Sequence, residues 1–390
     1  MNRDASIPLV REIMTQFARL TGLSPAASSP TRYLWTDAFA VCNFLGLYQE
    51  TGEEVFRNLA LQLVDQVHNV LGRHRHDDRR AGWISGYDEE EGCLHPTAGG
   101  LRIGKKLQER RPEDPPDERL EWDQDGQYYH YLAKWMHALN RVAAVTRDFT
   151  YNRWAMELAK TAHDRFVYAP SRGGQKRMYW KMSIDLSYPL VPSMGLHDPL
   201  DGLVTYCQLQ ATQAKDPGRS GPDLSSQIRE MGGMCQGKNW VTDDPLGIGG
   251  LLSDAFRIAQ LTARGHFKQT DLLTALLEAA LLGLASYGRD SSLSLSAEYR
   301  LAFRELGLSI GLKALERLRG LIDQDPDLFD AHSKLDVHVA GIERYGSLGE
   351  AIDRFWLQPE HSEAESWRAH RHINMVMLAT SQAPDGYLTI

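Results

Sequence analysis

No two cysteines in this sequence sit at metal-ligand spacing: Cys42, Cys93, Cys207 and Cys235 are scattered, with no CxxC pair. Cysteines used this way read as buried or free thiols in a reducing cytoplasm, where the chain is expected. A long apolar run is missing as well. The most apolar stretch, Leu272 to Tyr287, is interrupted by Thr274 and Glu278 and is shorter than a bilayer span needs. It reads as a buried helix, so no membrane partner is expected. The start, Met1-Asn2-Arg3-Asp4-Ala5-Ser6, has neither an uninterrupted apolar core nor a small-residue cleavage site, unlike a secretory signal. Positive charge is scarce: 43 Lys and Arg against 51 Asp and Glu leave a net charge of −8. Nucleic-acid binders usually present a basic field, so that partner is not expected. Arg73-His74-Arg75-His76 runs straight into Asp77-Asp78 and reads as a solvated loop. There is no GxSxG elbow, Walker loop or HExxH motif. Gly247-x-Gly249-Gly250 follows no strand, which points to tight helix packing rather than a dinucleotide loop. His74/His76 and His197/Asp198 lack diagnostic metal spacing. Neither cofactor nor metal is assigned, and nothing fixes an oligomeric state.

What the chain does have is apolar periodicity at helical spacing, with 42 % hydrophobic residues to fill a large core. Phe56, Leu59, Ala60, Leu63, Val64, Val67, Val70 and Leu71 hold one face of a helix. The same reading gives helices over 7–20, 33–48, 152–166, 203–212, 224–235, 246–262, 271–287, 301–321, 348–357 and 367–380. A further one opens at Leu120-Glu121-Trp122-Asp123-Gln124-Asp125-Gly126-Gln127-Tyr128-Tyr129-His130-Tyr131 and runs to about Thr146. That makes about twelve helices. Strand is almost absent: Phe166-Val167-Tyr168 and Met178-Tyr179-Trp180, flanking Ser171-Arg172-Gly173-Gly174, suggest one short β-hairpin. Residues 72–121 form a long excursion rich in Gly, Pro, Arg, Asp and Glu, suited to a rim or lid. No composition break marks a domain linker, so 1–390 is read as a single domain.

The helices alternate between two kinds. One kind is apolar nearly all round and begins at a polar, aromatic entrance; the other is amphipathic with one charged face. Inner and outer helices of a closed all-α ring would give this alternation, since inner helices have neighbours on every side. An open helical stack is the alternative. In a ring, the inner helix starts share one mouth, with their unsatisfied N–H groups pointing into it.

The entrances carry the candidate chemistry. Trp35-Thr36-Asp37, Trp122-Asp123-Gln124-Asp125, His197-Asp198, Asp243-Asp244, Tyr299-Arg300 and Trp367-Arg368-Ala369-His370-Arg371-His372 each precede an apolar helix. Asp37, Asp198 and Asp243 taken singly could be N-caps, but the doublets Asp123/Asp125 and Asp243/Asp244 exceed what one cap needs. Asp37, Asp123, Asp125, His197, Asp243 and His370 are the catalytic candidates. Trp35, Trp122, Tyr128, Trp180, Asp198, Asp244, Tyr299, Arg300, Arg304, Trp367, Arg371 and His372 are the binding candidates. Core packing explains each ring alone. Flat rings beside many hydrogen-bonding groups suit a polyhydroxylated ligand, whose C–H faces stack while its hydroxyls are bonded.

The alternation resembles the (α/α)6 barrels of the six-hairpin glycosidase type, over nearly the whole chain. Leu34-Trp35-Thr36-Asp37-Ala38-Phe39-Ala40-Val41-Cys42-Asn43-Phe44-Leu45 is similar to an inner helix of unsaturated glucuronyl and rhamnogalacturonyl hydrolases. It departs at Ala38, where that family usually has an acidic or small polar residue. The resemblance implies a toroid with a small hairpin at its rim and Asp37 as general acid/base. A second resemblance is to the N-acylglucosamine 2-epimerase and aldose–ketose isomerase group, which uses histidines at inner-helix entrances. It implies His370 or His372 as the one near the C-terminus and His197 or His130 as the other.

Glycoside cleavage needs an acid of raised pKa and a second carboxylate. Epimerisation needs an acid and a base near neutrality, which histidine supplies. The abundance of carboxylates leans the reading to hydrolysis of a small sugar, uronic sugars included. Epimerisation or isomerisation is the alternative, and a non-catalytic toroid binding a glycan or a protein is the third. The expected ligand is a sugar or oligosaccharide.

Overall fold

A helix that is buried on every side must be apolar all round, while one that faces water on one side needs a polar stripe. Both kinds recur along the chain in a computed structural model that describes residues 3–171, 173–216, 218, 221–268, 270–289, 291–329 and 334–390. The chain separates into two compact units, an N-proximal one of residues 18–48 and 53–237 and a C-proximal one of residues 1–17, 49–52 and 238–390. Helix α1 (Arg3–Leu20) begins in the second and ends in the first; α2 (Leu34–Thr51) belongs to the first for most of its length.

The N-proximal unit continues with α3 (Glu54–Leu71), α4 (Glu89–Leu94), α5 (Glu118–Asp123), β1 (Gln127–Tyr128), α6 (Tyr129–Thr146) and α7 (Thr150–Phe166). Then come β2 (Val167–Tyr168), β3 (Arg177–Met178), β4 (Lys181–Met182), β5 (Pro189–Val191), α8 (Asp198–Gln213) and α9 (Ser225–Cys235). Every residue of α2 from Leu34 to Leu45 is buried, as is almost every residue of α8. Helices α3 and α7 instead bury one face, with Phe56, Ala60, Leu63 and Val67 on the first and Ala155, Met156, Leu158 and Ala159 on the second. Helix α6 packs against α7 and α8, and α8 against α9. Strands β2 and β3 form the expected hairpin, Val167 opposite Met178; Arg172 at its turn lies outside the described residues.

The C-proximal unit holds α10 (Pro245–Ala263), α11 (Thr270–Tyr287), α12 (Ala302–Gln324), α13 (Lys334–Glu343), α14 (Gly346–Trp356), α15 (Glu365–Ala369), α16 (Arg371–Gln382) and α17 (Asp385–Leu388). Helices α10 and α12 pack tightly along their length, and Gly249 makes that approach possible. A Cβ on Gly249 would lie 2.0 Å from the Gly307 carbonyl oxygen. Helix α10 also lies on α11, and α12 lies on α14 and on α16. Phe17 of α1 meets His372 of α16 edge to face, centroids 6.2 Å apart.

Four expectations change. The stretch 120–131 is not one helix entrance: α5 ends at Asp123, and β1 intervenes before α6 begins at Tyr129. Gly126 makes the break, at φ +147°, with space for no Cβ because the Met182 carbonyl oxygen would lie 2.7 Å away. A three-stranded sheet in the order β1-β4-β5 accompanies the hairpin. Helix α13, held by buried Leu335, Val339 and Ile342, was not expected. The helix over 367–380 is broken at His370 into α15 and α16. Among the described residues no helix is long and apolar enough to cross a membrane.

Candidate functional site

In the N-proximal unit the sheet assembles a group of rings. Strand β1 runs antiparallel to β4 with Tyr128 opposite Lys181, and the Tyr129 N–H donates to the Trp180 carbonyl. This register sets Trp180 beside the start of α6. Its ring lies 5.0 Å from Tyr128 and stacks on His130 at 6.3 Å with only 10° between planes. Tyr131 closes the group, 4.7 Å from His130 and 5.2 Å from Tyr128. Its hydroxyl shares a 2.7 Å hydrogen bond with Tyr33, and its ring is 6.5 Å from Trp35. Trp122, more than half exposed, meets Trp180 edge to face at 5.5 Å. Lys105 reaches in from the long excursion, its Nζ 5.4 Å from the Tyr33 ring centre.

The polar groups around these rings have distinct states. Burial pushes the His130 pKa down to about 4, so the imidazole is neutral at pH 7. Its Nδ1 makes no hydrogen bond and lies 3.9 Å from Asp198 Oδ1. Asp198 is the first residue of α8 and accepts the Gly195 N–H on Oδ2 at 3.2 Å. His197 caps the same helix through its carbonyl, which accepts the Asp201 N–H at 2.9 Å, and Asp201 holds Lys134 at 2.6 Å. Burial raises the Tyr33 hydroxyl to about 12 and Tyr131 well above its ordinary value. Both therefore keep their protons and can donate.

Asp37 lies one turn along α2 from Tyr33, only 1 % exposed. Its Oδ2 accepts the Tyr33 N–H at 2.9 Å and its Oδ1 lies 3.5 Å from Arg32 Nη1. Burial outweighs Arg32 and raises its pKa to about 6. Asp123 is exposed at the end of α5. Asp125 is fully buried and accepts from Arg75 Nη1 at 3.3 Å, Arg102 Nη1 at 3.0 Å, the Gly104 N–H at 3.0 Å and the Gly126 N–H at 3.1 Å. With its oxygens so engaged, it holds the excursion against β1. Trp35 packs on Phe39 at 4.4 Å.

In the C-proximal unit, a cavity of about 290 Å³ is lined by Asp243, Ser286, Tyr299, Arg300, Arg304 and Glu305, with Pro245, Tyr287 and Leu301. Arg300 makes a bidentate pair with Glu305 at 2.9 and 2.7 Å and lies 3.7 Å over the Phe355 ring. The Trp356 indole N–H donates to the same carboxylate. Glu305 is the residue that sequence reading passed over, although its spacing of five from Arg300 is visible. Arg304 pairs with Asp244 at 2.9 Å, and Asp244 also caps α10. Tyr299 is 78 % exposed. The remaining candidates are placed differently. Trp367 is buried against Trp356, centroids 5.6 Å apart, and His372 packs on Phe17. His370 and Arg371 are exposed at the start of α16, with His370 5.5 Å from Phe303.

The rings that sequence reading missed, Tyr33 and Tyr131, adjoin residues it named. Lys105 had no local signal, because only the tertiary path of the excursion brings it to Tyr33. Among the described residues no group of three or more His, Cys, Asp or Glu side chains is placed to hold a metal ion.

No family model and no curated protein matches the chain. Among solved structures it is similar to the GH76A alpha-1,6-mannanase from Salegentibacter sp. HEL1_6, with TM-score 0.51 and 11 % identity over 97 % of this chain and 99 % of that one. It is also similar to the cellobiose 2-epimerase from Spirochaeta thermophila DSM 6192, at TM-score 0.48 and 12 % identity over 95 % of this chain and 97 % of that one. A third is the cellobiose 2-epimerase from Bacillus thermoamylovorans B4167, at TM-score 0.44 and 11 % identity over 81 % and 76 %. The chain has an all-α (α/α)6 fold.

Proposed function

We propose that this chain is a single-domain carbohydrate-active enzyme that carries out acid–base chemistry on a sugar, with His130 moving the proton. The carrying observation is the ring group around His130. A neutral imidazole, unbonded at Nδ1 and 3.9 Å from the Asp198 carboxylate, is stacked on Trp180 and edged by Tyr128 and Tyr131. Rings of this kind suit the C–H faces of a sugar, and the Tyr33–Tyr131 hydroxyls suit its oxygens. A neutral imidazole can take a proton from a carbon next to a carbonyl, and the nearby carboxylate stabilises the imidazolium that forms. This geometry favours epimerisation or isomerisation of an open-chain sugar.

Glycoside hydrolysis is the second reading, favoured by one observation: Asp37, with its pKa raised to about 6, would still carry a proton to donate near neutral pH. Against it, Asp37 is almost inaccessible and both its oxygens are engaged. The GH76A mannanase shares the fold, and a fold of this kind hosts more than one chemistry. The four cysteines form no disulfide, and Cys42, Cys207 and Cys235 are buried, which suits a reducing cytoplasm.

The test is incubation with aldoses and with reducing disaccharides in D2O, following deuterium at C2 by NMR, beside assays of mannosides and unsaturated uronyl glycosides for released reducing ends. The expected result is C2 exchange that survives in Asp37→Asn and disappears in His130→Ala. Hydrolysis lost in Asp37→Asn, with no exchange in the wild type, would install the second reading instead. Turnover of no saccharide at all would sink both.

A further inference from the structure

The ring group does not end at His130. Trp180, which stacks on His130, is also met edge to face by Trp122, so that two ring-to-ring steps of 6.3 and 5.5 Å lead from the imidazole to an exposed indole. Trp122 is 54 % exposed, so its indole offers a flat apolar face to solvent beside the ring group. Its position is nonetheless fixed. The neighbouring residue on α5, Glu121, is pinned by the fully buried Lys181, whose Nζ donates to the Glu121 carboxylate at 2.8 Å and to its backbone carbonyl at 2.7 Å. Arg110 adds a contact at 3.2 Å to the other carboxylate oxygen. A buried lysine demands partners, so the short helix carrying Trp122 is held at its root while the indole faces water. A floppy loop residue would lose its ordering entropy on binding, and one anchored this way has little left to lose.

We infer that the substrate is a chain of at least two sugar units, the reacting unit lying at His130 and the next unit stacking on the exposed indole of Trp122. The inference rests on the carbohydrate reading above and adds the length of the substrate and the residue that measures it. A single sugar placed at His130 leaves Trp122 uncovered; a longer chain running over Trp180 covers it.

The experiment measures kcat/KM for a homologous series of one to four sugar units, in the wild type, Trp122→Ala and Trp122→Phe. Expected is a rise in kcat/KM from one unit to two or more in the wild type. That gain, roughly tenfold for one good stacking contact, should be lost in Trp122→Ala and largely kept in Trp122→Phe, so that the loss grows with the length of the substrate. Acrylamide quenching of tryptophan fluorescence gives a readout on the unaltered protein, in which chains but not monosaccharides should shield the exposed indole. No dependence on length, equal losses on every length in Trp122→Ala, or no shielding by chains would each overturn the inference while leaving the sugar chemistry standing. No turnover of any saccharide overturns the function itself.

Discussion

The pKa of His130 is lowered because ionising it means charging a ring that is only 26 % exposed. The active form is the neutral one, so kcat/KM should hold from neutral pH down and fall as the pH drops through about 4. Replacing it with Ala should cost roughly 10²–10⁴-fold in rate with no change in circular dichroism. An unaltered rate removes it from the mechanism. His68 tests the same physics without catalysis. It accepts the Trp135 indole N–H at 3.2 Å, and burial lowers its pKa to about 3. The unfolded chain therefore binds a proton that the folded chain refuses, so the stability held above pH 6.5 is lost as the pH falls towards 3. The loss is on the order of 5 kcal/mol. His68→Gln keeps an acceptor that does not titrate, so urea midpoints of this variant should decline less between pH 6.5 and 4 than those of the wild type. Asp37 has the opposite sign: its folded pKa of about 6 means that its contribution is greatest below the ordinary carboxylate value and is lost as pH rises through 6.

Elements with a strong period were legible in advance. Helix α2 reads as buried all round because Leu34 to Leu45 offers no charged residue except Asp37, and it is buried all round. Gly249 was read as a site of helix crowding, and it lies against Gly307 and Gly311 of α12. Gly249→Ala should therefore destabilise by about 1–3 kcal/mol or more, measured as a fall in unfolding midpoint. Gly250→Ala, where a methyl meets no neighbour, should be neutral or slightly stabilising. What escaped the sequence was what depends on pairing at a distance. Strand β1 is two residues long, and only its partner β4, more than fifty positions on, makes Gln127–Tyr128 a strand. That pairing separates Asp123 and Asp125 from α6 and brings Trp180 to His130. Helix α13 was overlooked for a different reason. Its apolar residues Leu335, Val339 and Ile342 keep helical spacing, but the segment is short and flanked by charge.

For the molecule as a whole, the (α/α)6 fold was readable from alternating fully apolar and half-polar helices, because that alternation is a record of how many neighbours each helix has. The candidate site was readable only in its residue types. The rings quoted from the entrances are the right kind, yet the sheet and the long excursion decide which of them meet. Net charge acts at this scale too. At −8, the chain should show no shift of duplex DNA in a gel at physiological salt, since phosphate neutralisation supplies most of non-specific affinity. Retention of DNA there would reveal a basic face that composition hides. The Asp125 carboxylate gathers Arg75, Arg102 and the Gly104 N–H from distant stretches of the excursion, beside the N–H of its own neighbour Gly126. A protease that cuts the excursion between those arginines should leave a nicked protein that still elutes as one species under native conditions. Its two pieces should part only when denaturant unfolds them.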